Sequence, residues 1–334
     1  MKLINQLLLS FAFCLSLAAC AQGPRQADKP LFRDPVYDGA ADPIVVYNRQ
    51  KGTWWMFYTN RRANAEGCNG VEWVHGTPIG IAESTDGGAS WTYLQTANIR
   101  YEADKDYTYW APDIVEDNGR YHMFLTVVPG IFDNWQHPRD IVHLVSDNLL
   151  DWDYVNTLSL SSDRVIDACV FKAGEDRWIL YYNNEADGKS IYYAESPDLT
   201  DWTDKGLLFK GKPGEGPKVF RWKDRNFMIV DHWDGQGVYT SEDLVHWTQI
   251  GDEILDTAGG KGPDDAPNGN HADVVVRGDR AYIFYFTHPG RVPGAPRDEY
   301  NQRRSSVQVA ELEYTDGVIT CDRDKPVYID LNAE

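Results

Sequence analysis

The sequence predicts an all-β chain folded as a five-bladed β-propeller, with four-stranded antiparallel blades around a central channel. Three observations carry this expectation. A short unit recurs five times, its heads reading Asp42-Pro43-Ile44, Asp113-Ile114-Val115, Asp167-Ala168-Cys169, Glu215-Gly216-Pro217 and His271-Ala272-Asp273. Each head leads into an alternating run rich in β-branched and aromatic residues, the pattern of strands with both faces packed. The first four units also share a turn set between a serine and a tryptophan.

Within each unit the head opens the innermost strand, and the second strand follows: Trp54 to Thr59, Tyr121 to Val127, Trp178 to Tyr182, Phe227 to Val230, Ala281 to Phe286. The third strand ends in the shared turn, as in Ser84 to Trp91, Ser146 to Trp152, Ser196 to Trp202 and Ser241 to Trp247. Asp and Ser side chains fix such turns by bonding nearby amides, and the tryptophan begins the outer strand. A four-stranded unit of roughly 45 to 60 residues cannot bury its own faces and must stack radially on its copies. The blades are expected at residues 40–97, 108–160, 164–210, 213–257 and 268–331. The fifth lacks the serine-to-tryptophan turn, as expected where ring closure has to join the two ends of the chain.

Composition agrees with one large all-β body: 334 residues with 12 Trp, 19 Tyr and 12 Phe supply ample apolar area. A formal charge of −19 argues against nucleic acid and against polybasic docking on membranes, but leaves room for local recognition of an acidic sugar. The start of the chain is of a different kind. Lys2, the apolar stretch Leu7 to Leu17 and the run Leu17-Ala18-Ala19-Cys20 resemble a bacterial lipoprotein signal. That resemblance implies a signal peptide over 1–19, lipid on Cys20, a tether over 20–31 and an exported, membrane-anchored propeller over 32–334; an ordinary secretory signal is the alternative. Cys68, Cys169 and Cys321 then remain, enough for one bridge at most and without a Cys-x-x-Cys pair.

In a propeller the first strands line the channel, so Asp42, Asp167 and Glu215 are expected around one pocket. Carboxylates gathered there raise one another's proton affinity, and glycosidic hydrolysis uses that split: one ionised group to activate water, one protonated group to serve the leaving oxygen. Asp34, in Arg33-Asp34-Pro35, rivals Asp42 for the first position. Asp113 reads as a substrate contact at the channel rim or as a structural residue paired with a cation. Trp73, Trp110 and Trp233 are candidates for stacking on a sugar ring, and Trp73 and His75 lie in a long loop, Arg61 to Gly76, suited to building a pocket wall. His271 is expected to line the channel as a substrate contact, and Arg61, Arg62, Arg303 and Arg304 are candidates for a carboxylate or sulfate.

Taken together, Ala41-Asp42-Pro43-Ile44, Trp110-Ala111-Pro112-Asp113, Ile166-Asp167 and Glu215-Gly216-Pro217, each at a blade head, resemble the landmarks of glycoside hydrolase family 43 over residues 32 to 331. The resemblance implies Asp42 as general base, Glu215 as general acid and Asp167 as the carboxylate that orients the acid and tunes its pKa. It implies inversion, with the base and acid carboxyls roughly 6.5–9.5 Å apart; the expected substrate is a plant or algal polysaccharide or oligosaccharide, and a channel with a loop-built wall suggests a pocket and exo action. No cofactor is required; His271 is a candidate ligand for a structural calcium in the channel. The motif His75-Gly76-Thr77-Pro78-Ile79-Gly80 departs from the family's pattern. Propeller glycosidases acting on anhydrogalactose or fructosyl units, a sialidase (the turn Ser84 to Trp91 fits an Asp-box), and a non-catalytic glycan-binding lipoprotein are the alternatives.

Overall fold

The computed structural model describes residues 23–102 and 105–333; the signal segment and Cys20 lie outside them. Five antiparallel sheets form a ring. Blade 1 runs Ala40–Asn48, Thr53–Asn60, Ile79–Ser84, Thr92–Thr96; blade 2 runs Thr108–Asp117, Arg120–Val128, Asp140–Ser146, Asp151–Thr157. Blade 3 runs Val165–Gly174, Arg177–Asn184, Ser190–Ser196, Thr203–Phe209; blade 4 runs Glu215–Trp222, Arg225–Asp231, Gln236–Ser241, Thr248–Gln249. Blade 5 runs Asn270–Arg277, Arg280–Thr287, Ser306–Thr315, Val318–Cys321. The innermost strands pack side by side around the axis, blade 5 against blade 1. Asn98–Arg100 adds a fifth strand to blade 2, parallel to its outermost one, which the repeat pattern does not announce.

The core lies between blades. Trp55, Phe57 and Ile81 of blade 1 pack on Met123, Leu125 and Trp152 of blade 2, and a comparable apolar cluster fills each of the other four interfaces. This is why the second strands are apolar on both faces while the outermost strand Thr92–Thr96 is largely exposed. The shared turn holds this packing in place. Leu149, Leu199 and Leu244 adopt positive φ of 65°, 69° and 69°, unusual for leucine, and each is buried. The serine ahead of Leu149 and Leu244 accepts its amide, and Asn148, Asp198 and Asp243 accept the next amides, so hydrogen bonds and burial offset the strain.

Segments near both ends of the described residues seal the ring. Arg25–Gln26 pairs antiparallel with Tyr328–Ile329, and Ala27 and Leu31 join Val327, Ile329 and Leu331 in the cluster between blades 5 and 1. Residues 25–31 therefore belong to the folded body, a correction to the expected tether over 20–31. Burial of Ala27 and Leu31 against the propeller fixes them there.

Each innermost strand breaks its ladder at the same place, between Ala41 and Ile44, Trp110 and Asp113, Ile166 and Cys169, Glu215 and Lys218, Asn270 and Asp273. At this bulge Asp42, Ala111, Asp167 and Gly216 take positive φ of 52°, 43°, 59° and 56°. The equivalence differs from the head alignment read from sequence: Ala111, not Asp113, stands in the place of Asp42, and Gly216, not Glu215, in that of Asp167. A bulge breaks the two-residue alternation, so Asp167 and Cys169 do not share surroundings. The Cys169 sulfur is buried and accepts the Val219 amide at 3.2 Å.

One polar network ties all five blades together. Lys218 of blade 4 reaches Asp113 of blade 2 and Asp273 of blade 5, both at 2.9 Å. Asp113 accepts the Val170 amide of blade 3 at 2.7 Å, and Asp273 accepts the Val45 amide of blade 1 at 2.9 Å. Burial opposes the Lys218 charge, yet the two carboxylates hold its pKa well above the ordinary lysine value.

Candidate active site

A cavity of about 490 Å³ opens where the bulges converge, lined by Asp42, Asp167 and Glu215 from blades 1, 3 and 4. Arg61, Lys189, Asp231, Trp73, Trp110 and Trp233 line it too. The positive-φ bulge aims Asp42 and Asp167 into this space; Glu215 lies one residue before its own bulge and enters from a neighbouring position.

Asp42 is almost wholly buried and chelates one nitrogen of Arg61, with both carboxylate oxygens at 3.2 Å from Nη2. Burial opposes the charge, but the Arg61 guanidinium and then His271 outweigh it and hold Asp42 well below the usual carboxylate range. It is an anion at any physiological pH. Arg61 is itself set over the Phe286 ring and near Nε2 of His288 at 3.4 Å; the His288 Nδ1–H donates to the Arg304 carbonyl, leaving Nε2 as the acceptor.

Asp167 has the opposite balance. Burial, resisted by His271 and reinforced by Glu215 and Asp42, pushes it up to about 7. Its Oδ2 accepts the Gly216 amide at 3.0 Å, so it fixes the backbone directly after Glu215. His271 stands between the two aspartates, Nδ1 at 3.6 Å from Asp42 and 3.9 Å from Asp167. Burial opposes its charge, but Asp167 and Asp42 raise it to about 9, making it an imidazolium. Gly216 is required beside it: a Cβ there would fall 2.5 Å from the ring, and the φ of 56° is already one that side chains rarely adopt.

Glu215 pairs with Lys189 at 3.1 Å, and Lys189 also reaches Glu185 at 3.2 Å and lies 4.7 Å from the centre of the Trp233 ring. Glu185 in turn pairs with the buried Arg139 at 2.9 Å. Opposite Glu215 in the ladder is Asp231, which accepts the amides of Trp233 and His271, both at 2.7 Å. Burial and then Glu215 push Asp231 up to about 7 against those two bonds. Thr59 and Thr126 hold the equivalent place in blades 1 and 2 and accept the bulge amides of Ala111 and Asp167. Asp231 thus stitches blade 4 to blade 5 while standing beside the cavity, a position sequence reading missed although the acid ends an apolar strand.

The other sequence candidates separate. Trp73 and Trp110 form cavity wall with little exposure, Trp110 donating to the Val74 carbonyl at 2.7 Å. Trp233 is 40% exposed, and so is Trp135 at 47%, a cavity residue the sequence reading missed. His75 is buried behind the wall against Trp110, Phe132 and Trp135, where no sugar reaches it. Asp113 is committed to Lys218 and Val170 and does not line the cavity, which corrects its assignment as a substrate contact. Asp34 is saturated by the amides of Val36 and Tyr37 and the Tyr58 hydroxyl, a loop staple rather than a rival to Asp42. Among the described residues no group of three or more His, Cys, Asp and Glu side chains is arranged to hold a metal ion.

The buried carboxyls set a pH dependence of stability. Asp167 and Asp231 rise from about 3.9 in an unfolded chain to about 7, and His271 rises from about 6.5 to about 9. In all three the folded state binds the proton more tightly, so stability is fullest at low pH within these windows and declines as pH rises, over 4–7 for the aspartates and 6.5–9 for the histidine. Melting temperature is expected to fall from pH 5 to pH 9, and Asp167→Asn to flatten the lower part of that decline. A melting profile that rises over this range would refute the assignment.

No protein-family model matches the chain, and no curated protein does. Solved structures share its fold. A thermostable family-43 glycoside hydrolase superposes with a TM-score of 0.68 at 17% identity, over 89% of this chain and 99% of that one. A family-43 β-1,3-galactosidase with galactodeoxynojirimycin gives 0.66 at 15% identity, over 89% and 99%. The family-32 β-fructofuranosidase BmSUC1 of Bombyx mori gives 0.63 at 14% identity, over 90% of this chain and 66% of that one. At such identities the likeness is one of architecture, and the chain has the five-bladed propeller fold of these glycoside hydrolases.

Proposed function

We propose that the protein is an inverting glycoside hydrolase in which Asp42 activates water and Glu215 protonates the leaving oxygen. The observation that carries this reading is the convergence of Asp42, Asp167 and Glu215 from three blades on one cavity, with Asp42 held ionised beside Asp167 near neutrality. Asp42 polarises a water on one face of the sugar; its anionic form is always available, at the cost of basicity. Glu215 takes up a proton as the sugar displaces Lys189, which keeps Glu185 as a second partner, and delivers that proton to the leaving oxygen on the other face. Asp167 acts on Glu215 through the Gly216 backbone, as a positioning residue. Trp233 and Trp135 offer aromatic faces to a pyranose or furanose.

The long first-blade loop contributes Trp73 and Val74 to the cavity wall, supporting a pocket and release of sugars from chain ends. The test is a panel of plant and algal oligosaccharides, with the first-formed anomer read by NMR. Release of terminal sugar with inverted configuration is expected. Retained configuration would sink the inverting mechanism, and no release from any glycan would sink the hydrolase.

A further inference from the structure

We propose that the cavity selects a glycan carrying an anionic substituent, a uronate carboxylate or a sulfate ester, and that the cations in its wall free to receive one are the guanidiniums of Arg164 and Arg291. This deepens the hydrolase reading, on which it rests for the cavity being a sugar site. The chain carries a net charge of −19, yet this cavity is lined by five cations, Arg61, Arg139, Arg164, Lys189 and Arg291, facing five carboxylates. Three of the cations are spent internally: Arg61 on Asp42, Arg139 on Glu185, Lys189 on Glu185 and Glu215. Among the described residues, Arg164 and Arg291 make no ion pair.

Each of the two is also short of hydrogen-bond partners. Arg164 lies beside Arg139, whose pKa burial lowers first and Arg164 lowers further, and its buried Nε has no partner. Arg291 spends Nε on the Gln302 carbonyl at 2.9 Å, which leaves its Nη edge without a protein acceptor. Arg291 is exposed to solvent at the cavity and stands near Arg61, a cation set beside a cation with no counter-ion of its own. With Asp167 and Asp231 near neutrality as well, the cavity is not an anionic one at neutral pH. A neutral sugar would meet these donors with hydroxyl groups and leave the charge uncompensated. A carboxylate or sulfate compensates it through the paired, planar bonds that guanidinium forms best.

The arginines singled out from sequence have other duties. Arg62 donates to the Glu72 carbonyl, Arg303 pairs with Glu299, and Arg304 forks onto Asp264 at 2.8 and 3.1 Å.

The experiment uses free monosaccharides, which contain no glycosidic bond to be cut, and the native protein. Matched neutral, uronate and sulfated members of the gluco, galacto and manno series are titrated calorimetrically. In at least one series an acidic member should bind at least roughly tenfold more tightly than its neutral counterpart, as expected for one charge-assisted contact. Tightest binding by uronates identifies a carboxylate as the ligand group, and by sulfated sugars a sulfate. The paired substitution Arg164→Met with Arg291→Met should erase the preference, whereas Arg164→Lys with Arg291→Lys should restore part of it in a protein of unchanged melting temperature. Neutral sugars binding as well as acidic ones in every series, or a preference that survives the double Met variant, would overturn the proposal. Failure to hydrolyse any glycan while the acidic preference holds would instead remove the hydrolase and leave the anion site standing.

Discussion

Glu215→Gln is expected to lower kcat on a natural oligosaccharide by roughly 10²–10⁴ while slowing an activated aryl glycoside far less. The physical reason is the leaving group. A sugar alkoxide cannot depart without a proton, whereas a nitrophenolate departs unaided, so only the first substrate needs Glu215. Asp42→Asn should depress both substrates alike, because attack by water is required in either case. KM should change little for the activated substrate in Glu215→Gln, since the lost interaction belongs to the transition state. Thermal melts must accompany both variants: Asp42→Asn leaves Arg61 and His271 without their shared anion, and Glu215→Gln leaves Lys189 with Glu185 alone. Equal losses on both substrates for Glu215→Gln would remove it as the proton donor.

Lys218→Met is expected to cost about 3–5 kcal/mol, since removing one partner of a buried pair strands the other charge, and here it strands two. Asp113 and Asp273 would face each other across the axis with no cation between them. They cannot simply turn away, because each also holds an amide of another blade. A fall in melting temperature of roughly 5–15 °C follows from that cost. Adding Asp113→Asn and Asp273→Asn to Lys218→Met should recover most of it, because neutral amides still accept the Val170 and Val45 amides without mutual repulsion. An unchanged melt for Lys218→Met would show that the blades need no axial tie.

The network and the cavity also explain why two blade-head aspartates of similar appearance in sequence part company. Asp167 sits on the bulge, where the chain turns the side chain into open space. Asp113 sits beyond it, where the inner strands close on one another and only a cation makes a carboxylate tolerable. The difference is two positions along a strand, and the alternating pattern that reveals strands carries no mark of where a bulge interrupts it.

What the sequence determined by itself is the set of local relations: five units, their strands, the serine-to-tryptophan turns, and acids at four blade heads. Strand periodicity and turn chemistry are settled among residues a few positions apart, so they are written in the order of the chain. Only the tertiary structure decided which charges meet. Arg61 meets Asp42 across the first hairpin of blade 1, while Lys189 with Glu215 and Lys218 with Asp113 and Asp273 are outcomes of blades packing around the ring, which sets residues tens to hundreds of positions apart within a few ångströms. Burial there decides the ionisation of Asp42, Asp167 and His271, because the free energy of a charge depends on its neighbours in space and on the water excluded around it.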